Sequence, residues 1–175
     1  MDFYEVARTR RSVRKYQAKA IPAEVLGRVL EAARIAPSGS NRQPTRLIVV
    51  QDEERKQKLA PMCHDQAFVA SAPVVVVACG HDIKFDRGEW MGRYSMIVDV
   101  VIAVDHLTLA ARAEGLGTCW IGSFNNAALK EFFELPEDVE VVALTPIGYP
   151  EGEAFTQPKG RKPLEEIVNW ERWAK

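Results

Sequence analysis

A chain of 175 residues that is 47% hydrophobic and 27% charged is long enough to bury one core and too apolar to remain disordered. Its net charge of −1 and pI near 6.3 argue against a domain made basic throughout to wrap nucleic acid. The three cysteines, Cys63, Cys79 and Cys119, have neither CxxC nor metal-type spacing and read as reduced, buried thiols of a cytoplasmic protein.

In chain order, MDFYEVARTRR has no continuous apolar run of the signal-peptide kind, and Asp2 caps a short helix in which Phe3, Val6 and Ala7 share a face. A basic loop comes next. Pro22 opens an amphipathic helix with Val25, Leu26, Val29, Leu30, Ala33 and Ile35 at helical spacing, ended by Pro37. PSGSNRQP is a loop, TRLIVVQ a strand, EERKQKLAPMC a helix interrupted at Pro61, and APVVVVACG a strand buried on both faces. YSMIVDVVIAVDHLTLAARA approaches membrane-spanning length, but Asp99, Asp105, His106 and Arg112 would be costly in lipid, so it reads as a helix buried on most of its circumference. After Gly115 and Gly117 come a short buried strand in TCWIGS, a helix in NNAALKEFFEL and a long strand in DVEVVALTPIGYP. Helices alternating with four strands, without a repeat or a linker, predict one α+β or α/β domain over 1–175. The last 25 residues carry Phe155, Leu164, Ile167, Val168, Trp170 and Trp173, too much apolar surface to leave in water.

Three stretches bear chemistry. RTRRSVRKY holds five cations in nine positions, Arg8, Arg10, Arg11, Arg14 and Lys15, and fits a solvated turn, a nucleic-acid patch or a grip on a phosphate; PKGRK, at 158–162, is a second basic group. PSGSNRQP supplies backbone donors and the side chains of Ser38, Ser40, Asn41 and Gln43, suited to a heterocycle or to a plain helix-to-strand turn. GLGTCWIGSF lacks the GxGxxG spacing of a dinucleotide fingerprint, yet Gly122 allows a flat ligand or a bend close to the backbone. His64, His81 and His106 have no metal-ligand spacing, and no protein nucleophile or base stands out, so an enzyme built this way would rely on a cofactor.

RRSVRKY, PSGSNRQP, GLGTCWIGSF and PKGRKPLEEIV together, in this order and spacing, resemble the nitroreductase family of FMN-dependent oxidoreductases over essentially the whole chain. The resemblance implies an α+β fold with a mostly antiparallel sheet flanked by helices. It also implies a homodimer with FMN at the subunit interface and a tail, 151–175, that wraps the partner. It assigns Arg10, Arg11, Ser12 and Arg14 to FMN, with Arg10 and Ser12 on the phosphate and ribityl chain and Arg14 on the flavin N1/C2=O edge. Lys159 and Arg161 would complete the phosphate site. Pro37, Ser38, Gly39, Ser40 and Asn41, with Gln43 behind them, would reach FMN from the other subunit. Gly122 would offer its N–H to flavin N5 between Ile121 and Ser123, where many larger members carry Glu. His64 or Gln66 are candidates to contact the flavin pyrimidine or line the substrate pocket. No side chain is implied as catalyst: hydride would pass from NADH or NADPH through flavin N5 to a small acceptor such as a nitroaromatic or quinone, by a ping-pong route. Larger members carry an insertion that shapes the pocket; here only the short 81–94 stands in its place.

Overall fold

The computed structural model describes residues 1–81 and 89–173; half of the short 81–94 stretch therefore lies outside the described residues. Four strands, β1 (Thr45–Val50), β2 (Val74–His81), β3 (Gly117–Thr118) and β4 (Val139–Gly148), form one sheet in the order β1-β2-β4-β3, every pair antiparallel. The expected α+β class with an antiparallel sheet is what forms.

β2 shows why. Its residues alternate between two cores: Val75, Val77 and Cys79 face one side, Val74 and Val76 the other. A β-branched run buried on both faces can only be a central strand, and it pairs with β1 on one edge and β4 on the other. One face is covered by helices α2 (Ala23–Arg34) and α5 (Glu89–Ala113), through Leu26, Val29 and Ala33 against Ala103, Leu107 and Ala111. The other is covered by α3 (Glu53–Met62), α4 (Phe68–Ser71) and α6 (Asn126–Phe132), through Leu59, Val69 and Leu129.

The amino-terminal helix α1 (Phe3–Thr9) is capped by Asp2, whose carboxylate accepts the Glu5 N–H at 2.9 Å. Of its expected apolar face only Val6 is buried; Phe3 and Ala7 are exposed. Pro61 does not interrupt α3 but sits in its last turn, where the helix ends one residue later and little pairing is lost. TCWIGS is less of a strand than its composition predicts: pairing stops at Thr118, Ile121 alone bridges to Leu144, and Gly122 and Ser123 are exposed on the way to the Asn125 cap of α6.

The long helix α5 is buried or half-buried around most of its circumference, and Tyr94, Ile97, Val101 and Asp105 form one exposed stripe. It is long and apolar enough to cross a membrane by length and composition, but here it packs against α2 and the sheet. The tail after Gly148 is irregular apart from one turn at Leu164–Glu166. Leu164, Ile167, Trp170 and Trp173 are exposed, the two tryptophans at 82% and 85%, while Phe155 and Val168 are half-buried, so most of the apolar surface noted in the sequence is not buried within this chain.

Candidate functional site

The basic segment is irregular in conformation but fixed in place. Val13 N–H donates to Thr118 O at 2.8 Å, Ser12 bridges Thr118 in parallel register, and Val13 and Tyr16 are buried. Further along, Gln17 N–H donates to Tyr149 O and Glu151 N–H to Lys15 O. The segment thus runs as an added strand between β3 and the root of the tail. Gly117 makes the fit close: a Cβ there would lie 2.6 Å from a Val13 methyl, so only glycine lets the two backbones approach.

Pinning the backbone leaves the side chains outward. Among the described residues, none of Arg8, Arg10, Arg11, Arg14 and Lys15 forms an ion pair with a carboxylate. Solvated surface charge is usually interleaved with acids; Arg8 closes the last turn of α1, and the four unmatched cations that follow on a fixed frame suit an anion held from outside. Arg14 lies over the Phe68 ring at 5.7 Å. The Cys119 thiol sits below this group: burial pushes its pKa up, against the opposing pull of Arg14, Ser12 and Arg10. Burial likewise raises the Tyr16 hydroxyl, which donates to Val13 O at 2.6 Å and braces the segment.

Gln66 and the 121–123 strip join this region. The Gln66 amide donates to Cys63 O at 2.8 Å and Ser123 O at 3.3 Å, so its nitrogen is committed to the protein and its carbonyl oxygen is the atom it has to offer a ligand. Space over Gly122 is open, the nearest atom to a Cβ there being Trp120 Nε1 at 3.8 Å. His64 and Asp65 both adopt left-handed backbone, φ 54° and 57°, and His64 is exposed at the turn that sets Gln66.

The PSGSN loop gathers around a different anchor. Gly39 N–H donates to the buried Asp99 carboxylate of α5 at 3.0 Å, and Gln43 N–H to Ser38 Oγ at 2.9 Å. Between these bonds Ser40, Asn41 and Gln43 take φ of 51°, 55° and 52°, a left-handed conformation that non-glycine residues hold only when the surroundings impose it. Pro37, Ser38, Gln43, Arg34, Arg46 and Asp99 help line a cavity of about 200 Å³ beside the loop. Lys159 and Arg161 are exposed in the tail, beyond the point where Ala154 packs on the Val13–Tyr16 cluster.

Motif reading missed the anchors: Thr118, Tyr16, Phe68, Cys119 and Asp99. Only Asp99 carried a signal, a carboxylate within an apolar helix that has to find a donor. The sequence candidates therefore assemble into two groups, 10–14 with 66 and 121–123, and 37–43 on Asp99, with 159 and 161 beyond the first.

The nitroreductase family model matches residues 7–96 and 65–149. An Archaeoglobus fulgidus protein with the provisional name NADH dehydrogenase/NAD(P)H nitroreductase is 34% identical over 170 residues, covering 94% of this chain and 95% of its own. The Bacillus subtilis FMN reductase [NAD(P)H] is 33% identical over 180 residues, covering 93% and 71%. The crystal structure of a nitroreductase family protein from Clostridium difficile superposes with a TM-score of 0.86 at 35% identity, covering 99% of this chain and 100% of that one. With both basic segment and loop in the matched span, the chain belongs to the nitroreductase family.

Proposed function

We propose that this chain is an FMN-dependent NAD(P)H oxidoreductase that reduces a small organic acceptor such as a nitroaromatic or a quinone, working as a homodimer with FMN between its subunits. Family membership and the relatives' names support the flavin and the nicotinamide. The observation that carries the reading is the set of four unmatched cations, Arg10, Arg11, Arg14 and Lys15, on a backbone fixed between β3 and the tail, with Arg8 just before them at the end of α1.

The residues fit FMN in charge and shape. Arg10, Arg11 and Ser12, joined by Lys159 and Arg161, are the groups to hold a phosphate dianion and the start of the ribityl chain. Arg14 supplies a cation for the flavin N1/C2=O edge. The open backbone at Gly122, flanked by Ile121 and Ser123, admits a flat ring within reach of its N–H. FMN, when bound, supplies the two-electron chemistry, accepting hydride from NADH or NADPH and passing the electrons to the acceptor. The protein's share is to orient the ring, to stabilise negative charge through Arg14, and to leave one slot that donor and acceptor occupy in turn.

The two groups support the dimer. Pro37, Ser38, Gly39, Ser40, Asn41 and Gln43 sit on Asp99, close in sequence to the exposed α5 stripe, and Trp170 and Trp173 stand in water. A second copy would cover the stripe and the tail and bring its loop to the flavin. The buried, unpaired cysteines support a cytoplasmic setting.

The test is steady-state turnover of FMN-loaded protein with NADH or NADPH and p-benzoquinone or a nitrofuran. Parallel double-reciprocal lines are expected for one shared slot. Flavin-loaded protein that consumes no NAD(P)H with either acceptor would leave a flavin carrier or sensor instead.

A further inference from the structure

Arg112 is 6% exposed, near the end of α5, and has no carboxylate partner among the described residues. A buried guanidinium needs compensation. It finds some at the carboxy-terminal end of its helix, where a cation meets the favourable end of the dipole. The rest comes from two segments far apart in sequence. Its Nε donates to Thr9 Oγ1 at 3.0 Å, and Thr9 Oγ1 in turn donates to Glu5 O at 2.6 Å. Its guanidinium carbon lies over the Phe155 ring, 3.9 Å from the centroid, a cation–π contact.

Each of those two segments leads directly into one of the basic groups. Thr9 is the last residue of α1, and Arg10 is next. Phe155 is four residues before Lys159. The tail root and the basic segment run past each other in opposite directions, tied at one end by the Gln17–Tyr149 and Lys15–Glu151 backbone bonds. From 152 to 162 no backbone hydrogen bond holds the tail among the described residues. The far end is closed by Arg112, between Thr9 and Phe155, together with the packing of Ala154.

We infer that Arg112 is a positioning residue which, without touching the ligand, sets the spacing between the two halves of the phosphate grip, Arg10 with Ser12 on one side and Lys159 with Arg161 on the other. The inference rests on the proposed FMN site. Its signature is selective: losing Arg112 should weaken the hold on the phosphate and leave the hold on the ring.

The experiment compares FMN with riboflavin, which lacks only the phosphate, by equilibrium titration of apo-protein from wild type, Arg112→Met and Phe155→Leu. Wild type should bind FMN much more tightly than riboflavin. In Arg112→Met that preference should fall about tenfold or more, the scale of one charge-assisted hydrogen bond, with riboflavin affinity within about twofold of wild type. Phe155→Leu should move the preference the same way by less, and the double variant should be no worse than Arg112→Met alone. Should Arg112→Met not fold, Phe155→Leu carries the test. A wild-type preference for FMN that survives unchanged in both variants overturns the inference alone. A wild type that binds neither flavin overturns the functional reading and the inference with it.

Discussion

The basic segment and the PSGSN loop solve opposite problems. At 10–17 the backbone is consumed by hydrogen bonds to Thr118, Tyr149 and Glu151, and the cationic side chains are left to face outward. At 38–43 the side chains of Asp99 and Ser38 are consumed in holding the backbone, and the turn itself is presented. A site that works through charge needs a fixed main chain to aim its side chains; a site that works through its main chain needs side chains to shape it. The two regions should therefore fail differently.

The largest effect, on stability and flavin retention together, is expected where the basic segment meets β3. Gly117→Val places methyl groups where Val13 already sits, and overpacking of this kind costs about 1–3 kcal/mol. Thermal unfolding should show that loss together with failure to retain FMN, since the cations move with Val13. Full flavin content in a stable Gly117→Val protein would show that the segment's position is not critical.

On the loop side, Asp99→Ala removes the acceptor for Gly39 N–H, a bond to a charged group worth about 1.5–3 kcal/mol. Left-handed backbone at Ser40, Asn41 and Gln43 should then relax, weakening flavin binding more than it lowers the melting temperature. Asp99→Asn, which keeps an acceptor oxygen, should recover much of the loss; equal damage by both would point to the charge rather than the hydrogen bond.

Arg14→Ala tests the aim of one side chain in an otherwise unchanged frame. Redox titration of the loaded protein should find the flavin midpoint lowered by on the order of 30 mV, since a cation that favours the reduced, negatively charged ring has gone. An unchanged midpoint would remove Arg14 from that edge.

The smallest effect lies outside both regions. The Lys130 ammonium beside Glu140, at 2.7 Å, holds that carboxyl below the usual range, with help from Asn126. A depressed folded value means the stabilisation is present above the unfolded carboxyl's range and disappears as pH falls through the folded value. The pair is substantially exposed, so Glu140→Gln should cost at most about 0.5 kcal/mol near neutral pH and nothing in acid. Chemical denaturation at the two pH values measures the difference.

The same contrast explains how far the sequence reveals each region. Cations and small polar residues are visible as letters, so Arg10, Ser12, Arg14 and the PSGSN stretch stand out, and β2 declares itself by an unbroken run of valines. The partners that hold them are ordinary: Thr118 acts through its carbonyl, Tyr16 through its depth, Asp99 through a position on α5 that only the packing of α2 against α5 defines. The apolar composition of TCWIGS suggests a longer strand than forms, because composition says nothing of where the pairing partner ends; β4 pairs with it at Thr118, next to Gly117, and once more at Ile121. As a letter, Arg112 is a charge that keeps a helix out of lipid, whereas its contacts with Thr9 and Phe155 bring together residues 103 and 43 positions away from it.

The central claim, that the free cations and the exposed turn serve a redox-active flavin, is tested most directly by the absorbance spectrum of the purified protein, reconstituted with FMN, before and after anaerobic addition of NADH or NADPH. Bound flavin bands that bleach with either nucleotide are predicted. A protein that stays colourless after incubation with FMN, or whose bound flavin neither nucleotide bleaches, would contradict it.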